Sequence, residues 1–344
     1  MTVEQRIEAF LRLGDAIRWA LAGRPSALSS AIDMAELENP WFTRGNIERM
    51  LSEIANGWLT PNALRPWALG YLKDTSEEAE AKRVGVVAAG NIPLVGFHDL
   101  LCVLIAGHVL VLRPSSRDSA LMKAIRNMLI DVEPQFDDLF ELSEGKLRKV
   151  DAIIATGGDG TAHVMRHYFE RYPSIIRQHR NAVALLDGSE TDAQLEALGD
   201  DIFAYYGLGC RNVSMLLVPH DYSMEHLLGH LLPWRKLIQH HKYANNYEYQ
   251  RAIFALNRVQ HLDLGFALVR ECEALDSPIG VIHYCRYASR QDALNFLEQH
   301  ADRIQCAVGN SSWSGRVVDF GRAQSPSIAD YADGVDTMKF LLSL

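Results

Sequence analysis

Cys210, in the run Tyr205-Tyr206-Gly207-Leu208-Gly209-Cys210-Arg211-Asn212, is the residue whose setting best suits a nucleophile. Glycines 207 and 209 let the backbone approach a bound group closely and leave N–H donors to face a developing oxyanion. Arg211 is the nearest cation in sequence able to lower the thiol pKa. A lone cysteine more often ends in a core, so spacing alone leaves both roles open. Cys102, Cys272, Cys285 and Cys306 lie inside apolar or amphipathic segments and read as core. Five cysteines, scattered and without a CxxC pair, suit a reducing compartment, and cytoplasm is the expectation.

Two histidine pairs, His163/His167 and His226/His230, have the i, i+4 spacing that sets two imidazoles on one helix face. Neither carries the glutamate of H-E-x-x-H, the sequence offers no obvious third ligand, and no metal is expected. His240-His241-Lys242 reads as a solvated helix end. Gly157-Gly158-Asp159-Gly160-Thr161 resembles the GGDGT signature of the NAD kinase and diacylglycerol kinase families, where a glycine-rich turn cradles phosphates. No second Asn-Glu or Asn-Asp motif follows it. A plain strand-to-helix turn packed against a ligand accounts for the same glycines.

These residues need a scaffold, and the 344-residue chain is long enough for more than one lobe. Hydrophobic residues make up 48% and charged residues 22%, as in ordinary globular proteins. A net charge of −9 excludes a general nucleic-acid binder, which needs a basic surface. Residues 2–22 read as an amphipathic helix with Ile7, Phe10, Leu11, Ile17 and Leu21 on one face, and no apolar run reaches membrane-spanning length. Helices fill the first eighty residues. From Arg83 apolar strands (84–89, 109–112, 151–155, 182–186, 213–218, 278–284, 304–308) alternate with helices (94–106, 118–130, 162–171, 192–206, 223–240, 291–300). That alternation predicts an α/β fold of two lobes with mostly parallel sheets, hinged near Asp187-Gly188, with a ligand cleft between them. The dinucleotide fingerprint G-x-G-x-x-G is absent.

Read in order, Gly85-Val86-Val87 with Gly90-Asn91-Ile92-Pro93-Leu94, Ala106 to Ser115, Thr156-Gly157 and Gly209-Cys210 resemble the aldehyde dehydrogenase superfamily. The wording is closer still to its LuxC-type acyl-CoA reductase branch. Residues 90–99, 209–214 and 330–338 carry that similarity, and the first eighty residues match only weakly. The resemblance implies an aldehyde-dehydrogenase-like fold. Residues 1–186 would form helices plus a cofactor lobe, 187–316 a catalytic lobe, and 317–344 a packing or subunit-contact tail. It also implies that Cys210 takes an acyl group from acyl-CoA or an acyl carrier, while Asn91 holds the oxyanion. NADPH or NADH would lie along Arg113, Pro114, Ser115 and the turn Thr156, Gly157, Gly158, with Arg113 in place of a lysine favouring NADPH. The segment Leu185 to Ser189 matches the family's Leu-Glu-Leu-Gly-Gly stretch, placing Leu186 where hydrolytic members carry their base. Reduction is therefore expected over hydrolysis. Glu273 is a candidate for the nicotinamide-ribose glutamate. An acyl-transferring partner protein and a homo-oligomer are the partners left open. Two rival readings stand beside this one: a phosphotransferase using residues 157–161, and a non-catalytic acyl-binding partner of an acyl-transfer enzyme.

Overall fold

A computed structural model describes residues 1–72, 80–313 and 317–344. Met1–His179 and Pro326–Leu344 form one compact unit, and Arg180–Ser325 forms a second.

The first unit is built on a five-stranded parallel sheet: β1 (Arg83–Val87), β2 (Val109–Arg113), β3 (Phe140–Leu142), β4 (Ala152–Thr156) and β5 (Ser174–Arg177), in the order β3-β2-β1-β4-β5. Strands buried on both faces read as continuous apolar runs, which is why β1, β2 and β4 stand out in the sequence. Successive residues serve opposite faces. Val84, Val86, Leu110, Leu112 and Ile154 join the large core with the N-terminal helices, while Val111, Ile153 and Ala155 pack with Val150 and Phe169 on the other side. The N-terminal helix Val3–Leu21 opens with a Thr2–Gln5 capping box and buries Ile7, Phe10, Leu11 and Ile17, as its periodicity predicts.

The terminal segment Pro326–Leu344 packs into this unit through specific bonds. The buried Arg177 guanidinium donates to Asp99 Oδ2 at 2.6 Å and to Thr337 Oγ1 at 2.9 Å. The Trp67 indole N–H donates to the Tyr331 hydroxyl at 2.9 Å. His98 Nε2 lies 2.8 Å from the Ile328 carbonyl, and His108 Nε2 lies 3.0 Å from that of Leu341. The His108 Nδ1 accepts from the Lys82 N–H at 3.2 Å, so Nε2 carries the proton. Burial pushes the pKa of both imidazoles below the ordinary histidine value. A histidine with a depressed folded pKa takes its proton more readily in the unfolded chain. Its stabilising contribution is full above the unfolded pKa of about 6.5 and is lost as pH falls through that value toward the folded pKa. The urea midpoint should therefore fall between pH 7.5 and 5.5, and fall less in His98→Gln and His108→Gln. Equal acid losses in all three proteins would refute this origin.

The second unit carries β6 (Asn181–Leu185), β7 (Val213–Pro219), β8 (Leu262–Asp263), β9 (Leu268–Glu271), β10 (Val281–Tyr287), β11 (Ile304–Gly309) and β12 (Val317–Val318). Their order is β12-β11-β6-β7-β10-β9-β8, parallel throughout except for the β8–β9 pair. Val183, Leu185, Met215 and Leu217 make a core with Ala293 and Trp313.

The division thus falls at His179–Arg180 rather than at Asp187-Gly188. The strand 181–185 hydrogen-bonds to β7 and β11 of the second sheet, and an apolar run does not say which sheet it joins. The predicted helix 223–240 is an α-helix only over Met224–Leu231. Pro233 lacks the N–H that would continue it, and a 3₁₀ segment runs on from Leu232 to Gln239.

Candidate active site

In the first sheet the chain runs outward from β1 to β2 and β3, then returns to the other side of β1 for β4 and β5. The C-terminal ends of β1 and β4 therefore mark a switch point, where open α/β sheets bind ligands. Val87 stands in register with Arg113 on β2 and Ala155 on β4. The three segments singled out in sequence, Gly90-Asn91, Arg113-Pro114-Ser115 and Thr156-Gly157-Gly158, thus leave the sheet side by side.

The first two of these segments are locked together. A Cβ on Gly90 would sit 2.4 Å from Ser115 Oγ, so only glycine fits there. The Ala88 N–H donates to the Arg113 carbonyl at 3.1 Å. Ser115 Oγ accepts from the Arg117 N–H at 3.2 Å, and its carbonyl accepts from the Asp118 N–H at 3.0 Å. The buried Asp118 carboxylate then accepts from the Leu94 N–H at 2.7 Å, three residues after Asn91. Leu94 has φ +55°, a strained value for a branched side chain, and this bond helps to hold it. Burial lifts the Asp118 carboxyl well above its usual range. Asn91 is half-buried in the loop so fixed, and helix Phe97–Ala106 begins three residues later than the sequence suggests.

The third segment opens helix Asp159–Tyr168, with Gly158 as its N-cap and no capping side chain. The Gly157 N–H is spent on the Arg177 carbonyl at 3.2 Å. The first-turn N–H groups beyond it have no partner within the helix and suit an anion, although Asp159 adds a negative charge there. Arg113 is exposed at the end of β2. These donors fit the phosphates and ribose of a dinucleotide. His163 and His167 lie exposed on the same helix, and among the described residues no third ligand joins them.

In the second unit, helix Asp192–Phe203 stops where Tyr205, Tyr206 and Gly207 take three successive left-handed conformations, φ +51°, +60° and +76°. Two of these residues carry side chains, so the turn is costly and needs fixing from outside. Asn212 does this. Its buried amide nitrogen reaches the carbonyls of Asp201 and Ile202, both at 3.2 Å, and of Ala204 at 2.8 Å. Its Oδ1 accepts from the Gly209 N–H at 2.8 Å, and its own N–H donates to the Gly209 carbonyl at 3.0 Å. Cys210 sits inside that clamp, half-buried. Asp201 secures the same helix end by accepting from the N–H groups of Gly321 at 2.6 Å and Ala323 at 2.9 Å. Replacing Asn212 by Ala leaves buried carbonyls unpaired and should lower unfolding stability by about 2–3 kcal/mol. A urea melt within about 0.5 kcal/mol of the native protein would show that the clamp carries no weight.

Two features differ from the sequence reading. Leu186 and Asp187 follow the C-terminal end of β6, whereas Cys210 precedes the N-terminal end of its parallel neighbour β7, since Ala182 pairs with Val213 and Leu185 with Leu217. Four strand steps, about 13 Å, separate Ala182 from Leu186. The side chain at 186 therefore says nothing about deacylation at Cys210. Asp187 is also occupied. Burial alone would raise its pKa, but the Ser189 hydroxyl and N–H, Glu190 and Arg290 outweigh that and lower it. His240, in turn, both ends the 3₁₀ segment Leu232–Gln239 and caps the start of helix His241–Leu256, a second helix that the reading of 240–242 as a helix end did not include. Its Nδ1 accepts from the Tyr243 N–H at 3.3 Å, and its ring stacks on Tyr206 with centroids 4.3 Å apart.

The other thiols have different settings. Burial pushes Cys102 well above the ordinary thiol value, and burial with Glu273 and Glu271 raises Cys285. The Cys272 sulfur accepts from the Arg270 guanidinium at 2.8 Å.

Among solved structures the chain is similar to aldehyde dehydrogenases. The indole-3-acetaldehyde dehydrogenase of P. syringae, solved with NAD+, matches at TM-score 0.62 and 13% identity, over 92% of this chain and 74% of that one. An NAD-dependent aldehyde dehydrogenase from Sinorhizobium meliloti matches at 0.64 and 13%, over 91% and 71%. Aldehyde dehydrogenase 21 from Physcomitrella patens, solved with the product succinate, matches at 0.69 and 12%, over 100% and 84%. Such identities establish the fold and nothing further. No curated protein sequence matches the chain. The family model described as acyl-CoA reductase (LuxC) matches residues 26–230, a span holding Asn91, both turns of the first unit and the Cys210 loop. On that match the chain belongs to the LuxC family of acyl-CoA reductases.

Proposed function

We propose that this protein reduces a fatty acyl thioester, an acyl-CoA in the first instance, to the aldehyde through an acyl group held on Cys210. The observation that carries the proposal is the clamped Gly209-Cys210 loop within a chain of the acyl-CoA reductase family. The Cys210 thiolate attacks the thioester carbonyl, and the carrier thiolate departs and takes a proton from solvent. The Asn91 side-chain amide and the Cys210 backbone N–H stabilise the oxyanion that forms. A nicotinamide cofactor, when bound, supplies the hydride that converts the acyl group to aldehyde. Cys210 leaves at the end as the thiolate, ready for another acyl group. The first-turn N–H groups beyond Gly158 would hold the cofactor's phosphates, with Thr156 and Gly157 shaping that turn. Arg113, Pro114 and Ser115 would lie along the adenosine ribose.

An exposed arginine at position 113 can also bond a 2′-phosphate, which favours NADPH over NADH. Five scattered cysteines without a CxxC pair suit a reducing compartment, on which we place the protein in the cytoplasm; among the described residues no helix is long and apolar enough to cross a membrane. No observation favours the phosphotransferase or the non-catalytic reading over this one. Incubation with acyl-CoAs of graded length and either NADPH or NADH tests the proposal. Aldehyde should appear, faster with NADPH. Cofactor oxidation without aldehyde, or no turnover with any chain length, would reject it.

A further inference from the structure

We propose that Asp192, His226 and His230 form a binding site for a divalent late transition-metal ion, best suited to zinc(II). The two histidines share a helix face that sequence alone leaves without a third ligand. The fold supplies one.

Helix Asp192–Phe203 starts in a Thr191–Gln194 capping box, which fixes Asp192 as its first residue, with Glu196 one turn later on the same side. Helix Met224–Leu231 buries Leu227, Leu228 and Leu231. His226 and His230, one turn apart, are left along the edge that meets Asp192. Asp192 Oδ1 lies 3.3 Å from His230 Nε2 and 3.5 Å from His226 Nε2. The rings are 4.9 Å apart at 83°, unstacked, and the three donor atoms all lie within 4.8 Å of one another. Zinc bonds nitrogen and oxygen at about 2.0–2.1 Å, so the edge of its tetrahedron is roughly 3.3–3.4 Å. The two Asp–His separations are close to that edge. Among the described residues this is the one cluster of three or more such side chains so arranged.

Two imidazoles and one carboxylate are a borderline-soft set that suits zinc, cobalt or nickel over magnesium or calcium. Three protein ligands leave a fourth position for water. Glu196 Oε1 stands 3.8 Å from His230 Nδ1, too long for a hydrogen bond but near enough to add negative charge beside the site. Asp192 and His226 are exposed, giving the ion a path from solvent. The bound ion would join the two helices, one of which ends in the turn that Asn212 clamps.

The test is a cobalt(II) titration of EDTA-treated, desalted full-length protein, run in parallel on Cys210→Ala so that the thiolate cannot contribute. One cobalt per chain with visible d–d absorption, displaced by one equivalent of zinc, is expected in both. His226→Gln and His230→Ala should each weaken binding at least about tenfold, and the zinc-induced rise in melting temperature should vanish in the double variant. His226 is exposed, so its variant should fold, and circular dichroism checks this. No retained metal in the native chain, or undiminished binding in the double variant, would overturn the site.

Discussion

Replacing Cys210 by alanine should abolish aldehyde formation, a loss on the order of 10⁴-fold or more, because the covalent route disappears with its nucleophile. The fold should survive. Cys210 is half-buried, and the bonds that hold its loop run through Asn212 and the backbone of Gly209. A melting temperature close to native together with lost turnover separates loss of chemistry from loss of structure. Cys285→Ala should leave turnover within about twofold, since burial and two nearby glutamates hold that thiol protonated. Native-rate reduction by Cys210→Ala would end the mechanism.

On the oxyanion role proposed for Asn91, Asn91→Ala should have the second large effect. Loss of one oxyanion donor typically costs about 10²–10³-fold in kcat. The loop around Asn91 does not depend on its side chain alone. Asp118 holds Leu94 from one side, and the Gly90–Ser115 contact closes the other. Alanine should therefore lower kcat with little change in KM or stability. Asn91→Asp should do worse, because it sets a negative charge against a developing one. A normal kcat in Asn91→Ala would remove that residue from the site and leave the backbone N–H at Cys210 as the donor.

The sequence exposed most of the scaffold that positions these groups. The apolar runs of β1, β2, β4, β6 and β7 are buried on both faces, so composition alone reveals them. Three of those runs end in the three loops that the first unit sets side by side. The edge strands β3 and β5 escaped notice because edges are short and mixed, as Phe140-Glu141-Leu142 and Ser174-Ile175-Ile176-Arg177 are. Helix His241–Leu256 escaped because its buried face is largely tyrosine, Tyr243 and Tyr247, between polar neighbours. The role of Asn212 is invisible in one dimension, since three of its four partners lie eight to eleven residues upstream. The motif match at Leu186 misled for the opposite reason. A short run can resemble a family segment in wording alone, and strand register sets Leu186 after the C-terminal end of β6 while Cys210 precedes the N-terminal end of β7.

In the proposed mechanism an acyl group rests on Cys210 before it is reduced. Intact-mass analysis after mixing the protein with an acyl-CoA, first without and then with reduced nicotinamide, tests it most directly. One acyl adduct per chain should form and map to the peptide containing Cys210. Addition of NADPH should discharge it as an equivalent amount of aldehyde. An adduct at another cysteine, discharge as free acid, or aldehyde formed with no adduct on Cys210 would contradict the account.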